Sequence, residues 1–155
     1  MRETLNGIRH YNINDKEKLP SVTTILKATE SQEKQDSLAA WRARVGEETA
    51  AKITEESSSR GTAMHKILEK YILEEGYLDL TNVGKQAHNM AIRVIEQGLC
   101  NLTEYYGTEC TLYYPGLYAG QTDLVAVHKG QDAIIDFKQT NKPSEKSGSG
   151  ITFCS

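Results

Sequence analysis

The chain has 155 residues, 38% of them hydrophobic, and a formal net charge of −3. That length allows one domain with a real core, and the mild acidity argues against a surface that grips nucleic acid everywhere, though a local groove is compatible with it. No apolar run nears the roughly 18 residues of a membrane span and no charged-then-apolar leader is evident, so a cytoplasmic protein without a membrane partner is expected.

Residues 1 to 14 hold a short strand, GIRHYNI, followed by a turn at Asn14 and Asp15. In LPSVTTILKAT, Ser21 is placed to cap a short helix. Residues 32 to 56 are charged and alanine-rich, which predicts one or two helices broken near Gly46. SSSRGT at 57 to 62 reads as a loop opening a helix over 62 to 75, ended by Gly76. Met64, Ile67, Leu68, Tyr71 and Ile72 form the apolar stripe of that helix. A longer helical stretch is predicted over about 82 to 106 with a break at Gly98, then strands at about 108 to 114, 118 to 128 and 132 to 138. Helices followed by a small sheet make an α+β chain. Cys100, Cys110 and Cys154 lack Cys-x-x-Cys spacing and fit reduced thiols rather than a four-cysteine metal cluster.

The last two strands carry the informative residues. His128-Lys129-Gly130-Gln131 separates two runs rich in β-branched residues, and Gly130 suits the positive φ of a tight hairpin turn. A two-residue loop at Lys129 and Gly130 sets Asp123 directly opposite Asp136, with Cβ atoms roughly 5 Å apart. Lys138 follows on the same face as Asp136, while Ile135 and Phe137 point the other way. Like charges facing each other destabilise a sheet, so the pair calls for a cation. A divalent metal with a nearby ammonium answers that need. In RGTAMH, a helix start at Gly61 would offer backbone N–H groups to a phosphate, with Arg60 and Thr62 as added donors. His65 lies one turn deeper, within reach of a metal shared with the strand aspartates.

LPSVTTIL, RGTAMH, YAGQTD and IIDFKQTNKP occur in an order and spacing that resemble the PD-(D/E)XK nucleases. The resemblance is to their RecB-type clade, which includes mitochondrial genome maintenance exonucleases and phage relatives, and it covers the chain to Pro143. It implies a restriction-endonuclease-like core, with helices on a small mixed sheet and the metal site on a β-hairpin. His65, Asp123 and Asp136 then stand as metal ligands, and Lys138 joins them as the catalytic lysine, with Thr122 where the family has its nominal proline. Glu109, on the preceding strand, matches loosely as an outer acid. The implied activity is a divalent-metal-dependent DNA exonuclease using Mg²⁺ or Mn²⁺ and acting on single strands or free ends. The alternative is a non-catalytic or truncated nucleic-acid-binding relative. Trp41, Tyr71, Tyr113, Tyr114 and Tyr118 are available to stack on bases.

The family's next helix, with a Gln-x-x-x-Tyr-like motif, has no counterpart after the lysine strand. Residues 1 to 143 therefore read as a shortened nuclease-like domain, and 144 to 155 as a flexible or frameshifted tail. Without that helix, Leu124, Ile135 and Phe137 are expected to be partly exposed on one face of the hairpin.

Overall fold

Asn6 and Gly7 both take left-handed backbone, at φ 51° and 77°, and turn β1 (Arg2–Leu5) into β2 (Ile8–Asn14). Asn-Gly is the dipeptide best suited to this turn, so the single expected strand is a hairpin. Our computed structural model describes residues 1–14 and 16–139, with the backbone of residues 151–154. β3 (Glu17–Pro20) pairs antiparallel with β2 and completes a three-stranded sheet. Ser21 caps α1 (Val22–Ala28) by accepting from the Thr23 N–H. Ser31 caps α2 (Gln32–Val45) in the same way, and Gly46, at φ 87°, breaks the chain before α3 (Glu47–Ile72).

α3 runs unbroken through residues 57 to 62, which the sequence reads as a loop. Serines and a glycine have weak helix propensity, but packing routinely overrides such preferences. α4 (Asn82–Gln97) is capped by Thr81 and stops at Gly98, and a 3₁₀ turn (Leu99–Asn101) leads into β4 (Leu102–Tyr114). The helix expected to reach residue 106 thus ends early. Thr103, Tyr105 and Tyr106 are strand formers, and they extend β4 instead. β5 (Tyr118–His128) and β6 (Gln131–Phe137) follow, then the backbone of β7 (Ile151–Cys154), in the sheet order β4-β5-β6-β7.

The chain divides into two compact units, residues 1–50 with 111–121 and residues 51–110 with 122–155. In the first, Tyr11, Leu19 and Ala119 form a small buried cluster, and Glu17 accepts from the Gly116 N–H at 2.8 Å. The second holds the larger core. Met64, Ile67 and Leu68 from α3 meet Ala87, Ala91 and Val94 from α4, over Leu124, Ala126, Ile135 and Phe137 of the hairpin. The small α4 residues let that helix approach closely. Leu124 and Ile135 are fully buried and Phe137 is 2% exposed, which overturns the expectation of an open apolar face. The two preceding helices cover it. Tyr71, placed in the α3 stripe by its spacing, is 52% exposed. The expected tail falls largely outside the described residues. Among those described, no helix is long and apolar enough to cross a membrane.

Candidate metal centre

The β5–β6 register is the one the turn implies, running from His128↔Gln131 to Leu124↔Ile135. Lys129 and Gly130 supply the turn at φ 50° and 80°. Beyond Leu124 side chains take over from the backbone ladder. The Thr122 hydroxyl donates to the Ile135 carbonyl at 3.1 Å, and Asp123 Oδ2 accepts from the Phe137 N–H at 2.6 Å. The second of these satisfies a backbone donor that would otherwise lack a strand partner.

Asp123 Oδ1 also meets His65 Nδ1 at 3.1 Å. His65 is held by α3 on one side and by an edge-to-face contact with the Phe137 ring on the other, at 6.1 Å between centroids. Asp136 hydrogen-bonds Asp123, and Lys138 Nζ lies 2.6 Å from Asp136 Oδ2. Their surroundings shift the two carboxyl groups in opposite directions. Burial works against the Asp123 carboxylate, but the His65 hydrogen bond and the Phe137 N–H outweigh it and hold the group below the ordinary carboxylate range. Asp136 is raised, chiefly by burial; the Lys138 contact opposes the shift and the hydrogen bond with Asp123 adds to it. The Asp123 hydrogen bond raises His65 despite the ring's partial burial.

Glu109 completes the cluster. One ligand atom each from His65, Glu109 and Asp123 lies within 4.8 Å of the others, a nitrogen and two carboxylate oxygens that together could hold a metal ion. Glu109 sits in β4 at φ 51°, a left-handed conformation uncommon for a residue with a Cβ. Such a kink in a strand re-aims a side chain, and kinks of this kind concentrate near active sites. The sequence offers only the residue type and its strand; the local backbone that turns Glu109 toward the cluster leaves no signal there.

The remaining expected residues lie one turn away. Arg60 Nε donates to Gln139 Oε1 at 3.1 Å, and its Nη1 to Gln86 Oε1 at 3.2 Å. Thr62 is exposed. Gly61 lies in the middle of α3, so it has no helix-start N–H groups to offer a phosphate. That argument for anion binding at Arg60, Gly61 and Thr62 therefore fails. Tyr71, Tyr113, Tyr114 and Tyr118 are exposed, Trp41 is half-buried, and residues 140 to 146 lie outside the described residues.

No protein-family profile matches the sequence. Among curated proteins, the chain is 30% identical over 132 residues to mitochondrial genome maintenance exonuclease 1 of the mouse, Mus musculus. The match covers 81% of this chain and 38% of that protein, so the chain spans under two fifths of its relative's length. The chain is thus a distant relative of an exonuclease.

Proposed function

We propose that the chain is a DNA exonuclease of the PD-(D/E)XK type, RecB-like clade, that depends on Mg²⁺ or Mn²⁺ and acts on single strands or free ends. The observation that carries this reading is the convergence of His65, Asp123 and Glu109 in one cluster, with Asp136 and Lys138 hydrogen-bonded in series beside it. The distant similarity to an exonuclease supports it. The donor set fits a hard divalent cation, since carboxylates suit Mg²⁺ and Mn²⁺ and the single imidazole leans towards Mn²⁺. His65, Asp123, Asp136 and Glu109 would hold the ion. When bound, such an ion polarises a phosphoryl oxygen and acidifies water for attack on a phosphodiester.

The protein's own residues supply the rest. Asp123 is fixed by two hydrogen bonds before any ligand arrives, so its oxygens need no reorganisation. Asp136, paired with Lys138, would offer a second carboxyl to the ion. Lys138, exposed except for its contact with Asp136, places an ammonium where negative charge develops on the scissile phosphate. The nuclease-like region is taken as residues 1 to 143. Free thiols at Cys100 and Cys110 suit a reducing compartment such as the cytoplasm.

The deciding experiment follows end-labelled single-stranded and duplex DNA with Mg²⁺, Mn²⁺ or EDTA, beside Asp136→Ala and Lys138→Ala. Metal-dependent release of nucleotides from ends, lost in both variants, is expected. DNA binding without turnover would favour a non-catalytic relative.

A further inference from the structure

We infer that Gln139 is a latch that fixes the placement of Lys138, and that Gly61 is the seat it closes into. Gln139 leaves β6 directly after the lysine, and its side chain lies on α3. Its Nε2 donates to the Ser57 carbonyl at 2.5 Å, and its Oε1 accepts from Arg60 Nε at 3.1 Å. Both ends of the amide are therefore engaged, and each bond falls within one turn of the same helix. A Cβ on residue 61 would stand 2.7 Å from Gln139 Nε2, so only glycine leaves room for the amide. Ser57, Gly61 and His65 follow one another at four-residue spacing on α3. One helix stripe thus seats the latch and, a turn further on, the partner of Asp123.

This arrangement explains a glycine in a helix interior, where alanine is the better helix former. Among the described residues the Lys138 side chain pairs with Asp136, and it is 69% exposed, so its placement depends on how its backbone is anchored. The adjacent residue provides the anchor. Gln139 is then a positioning residue, acting through Lys138 in the reading proposed above.

Gly61→Ala separates placement from folding. The added methyl displaces the far end of a flexible side chain while the helix gains a better former, so melting temperature should hold or rise. Trypsin cleaves after lysine, and cleavage between Lys138 and Gln139 requires that segment to lift from α3. We expect cleavage there, identified by fragment mass, to accelerate roughly tenfold in Gly61→Ala and in Gln139→Ala. The double variant should cleave no faster than either single one, because both remove the same contact. On DNA, kcat should fall roughly tenfold with KM unchanged. Unchanged cleavage in both single variants overturns the latch. Faster cleavage with unchanged kcat overturns its role in positioning Lys138. If the wild-type protein has no nuclease activity, the proposed function fails, and the protease measurement still decides whether the latch exists.

Discussion

The two ends of the β5–β6 hairpin are built differently. From Ala126↔Ala133 to His128↔Gln131 the strands pair in register and meet at a two-residue turn. At the other end the Thr122 hydroxyl and the Asp123 carboxylate bond the Ile135 carbonyl and the Phe137 N–H. The turn end is ordinary sheet, whose exposed side chains can change at little cost. At the open end Asp123, which helps hold the strands together, also belongs to the candidate metal cluster. Structure and chemistry are therefore separable at one end and joined at the other.

The strongest way to break this contrast is to remove the two facing aspartates one at a time. Asp123→Ala should lower turnover roughly 10²–10³-fold or more. It should also cost about 2–3 kcal/mol of stability in urea unfolding, because a charged acceptor of two hydrogen bonds is lost. Asp136→Ala should lose as much activity yet unfold, without metal, no more easily than the wild type. Its carboxyl is raised in the folded protein, so at neutral pH the ionised form opposes folding. Equal destabilisation by the two variants would remove the distinction drawn between them.

Metal should act next. Mn²⁺ should raise the melting temperature of the wild type relative to EDTA, since an ion bound only by the folded state stabilises it. The rise should vanish in His65→Ala and Asp123→Ala and shrink in Glu109→Ala. A full rise in Glu109→Ala would remove that residue from the cluster.

The pH dependence without metal sharpens the same contrast. Asp123 is depressed, so its stabilisation is present above the ordinary carboxylate range and fades as pH falls through its folded value. His65 is raised, so its share is full below about pH 6.5 and fades as pH rises through its folded value. Asp136 behaves like His65 in sign, its share fading upward through the acid range. Urea unfolding in EDTA should therefore show greatest stability between the carboxylate range and the raised His65 range. His65→Ala should flatten the alkaline side.

Two smaller effects bracket the hairpin. Thr122→Val leaves the Ile135 carbonyl without its hydroxyl donor in a buried position and should cost about 1–2 kcal/mol. At the turn, Lys129→Asn suits the left-handed backbone better and should stabilise by about 0.5–1 kcal/mol with turnover unchanged. Altered turnover in that variant would tie the turn end to the chemistry after all.

What could be read from the sequence follows from how local each cause is. Gly130 and the flanking β-branched runs announce the turn, and the turn alone fixes which residues of β5 and β6 face each other. Alternation then gives the buried set Leu124, Ile135 and Phe137. What covers that set is a tertiary matter, and α3 and α4, which precede the hairpin, pack over it. Gly61 was misleading for the same reason. Read locally it marks a loop and a phosphate-binding helix start, whereas its cause is Gln139, far along the chain. Glu109 depends on one left-handed residue in a strand, which no periodicity announces.

The turn at Lys129 and Gly130 also works as an alignment gauge for the distant end of the hairpin. A strand's side chains alternate faces, so a slip of one residue there would carry Asp136 out of reach of Asp123 and turn Ile135 away from the core. Composition at the turn is cheap to alter, but its length is not. A single inserted or deleted residue at 129–130, at the far end of both strands from Asp123 and Asp136, should disable the candidate centre as thoroughly as deleting one of its carboxylates.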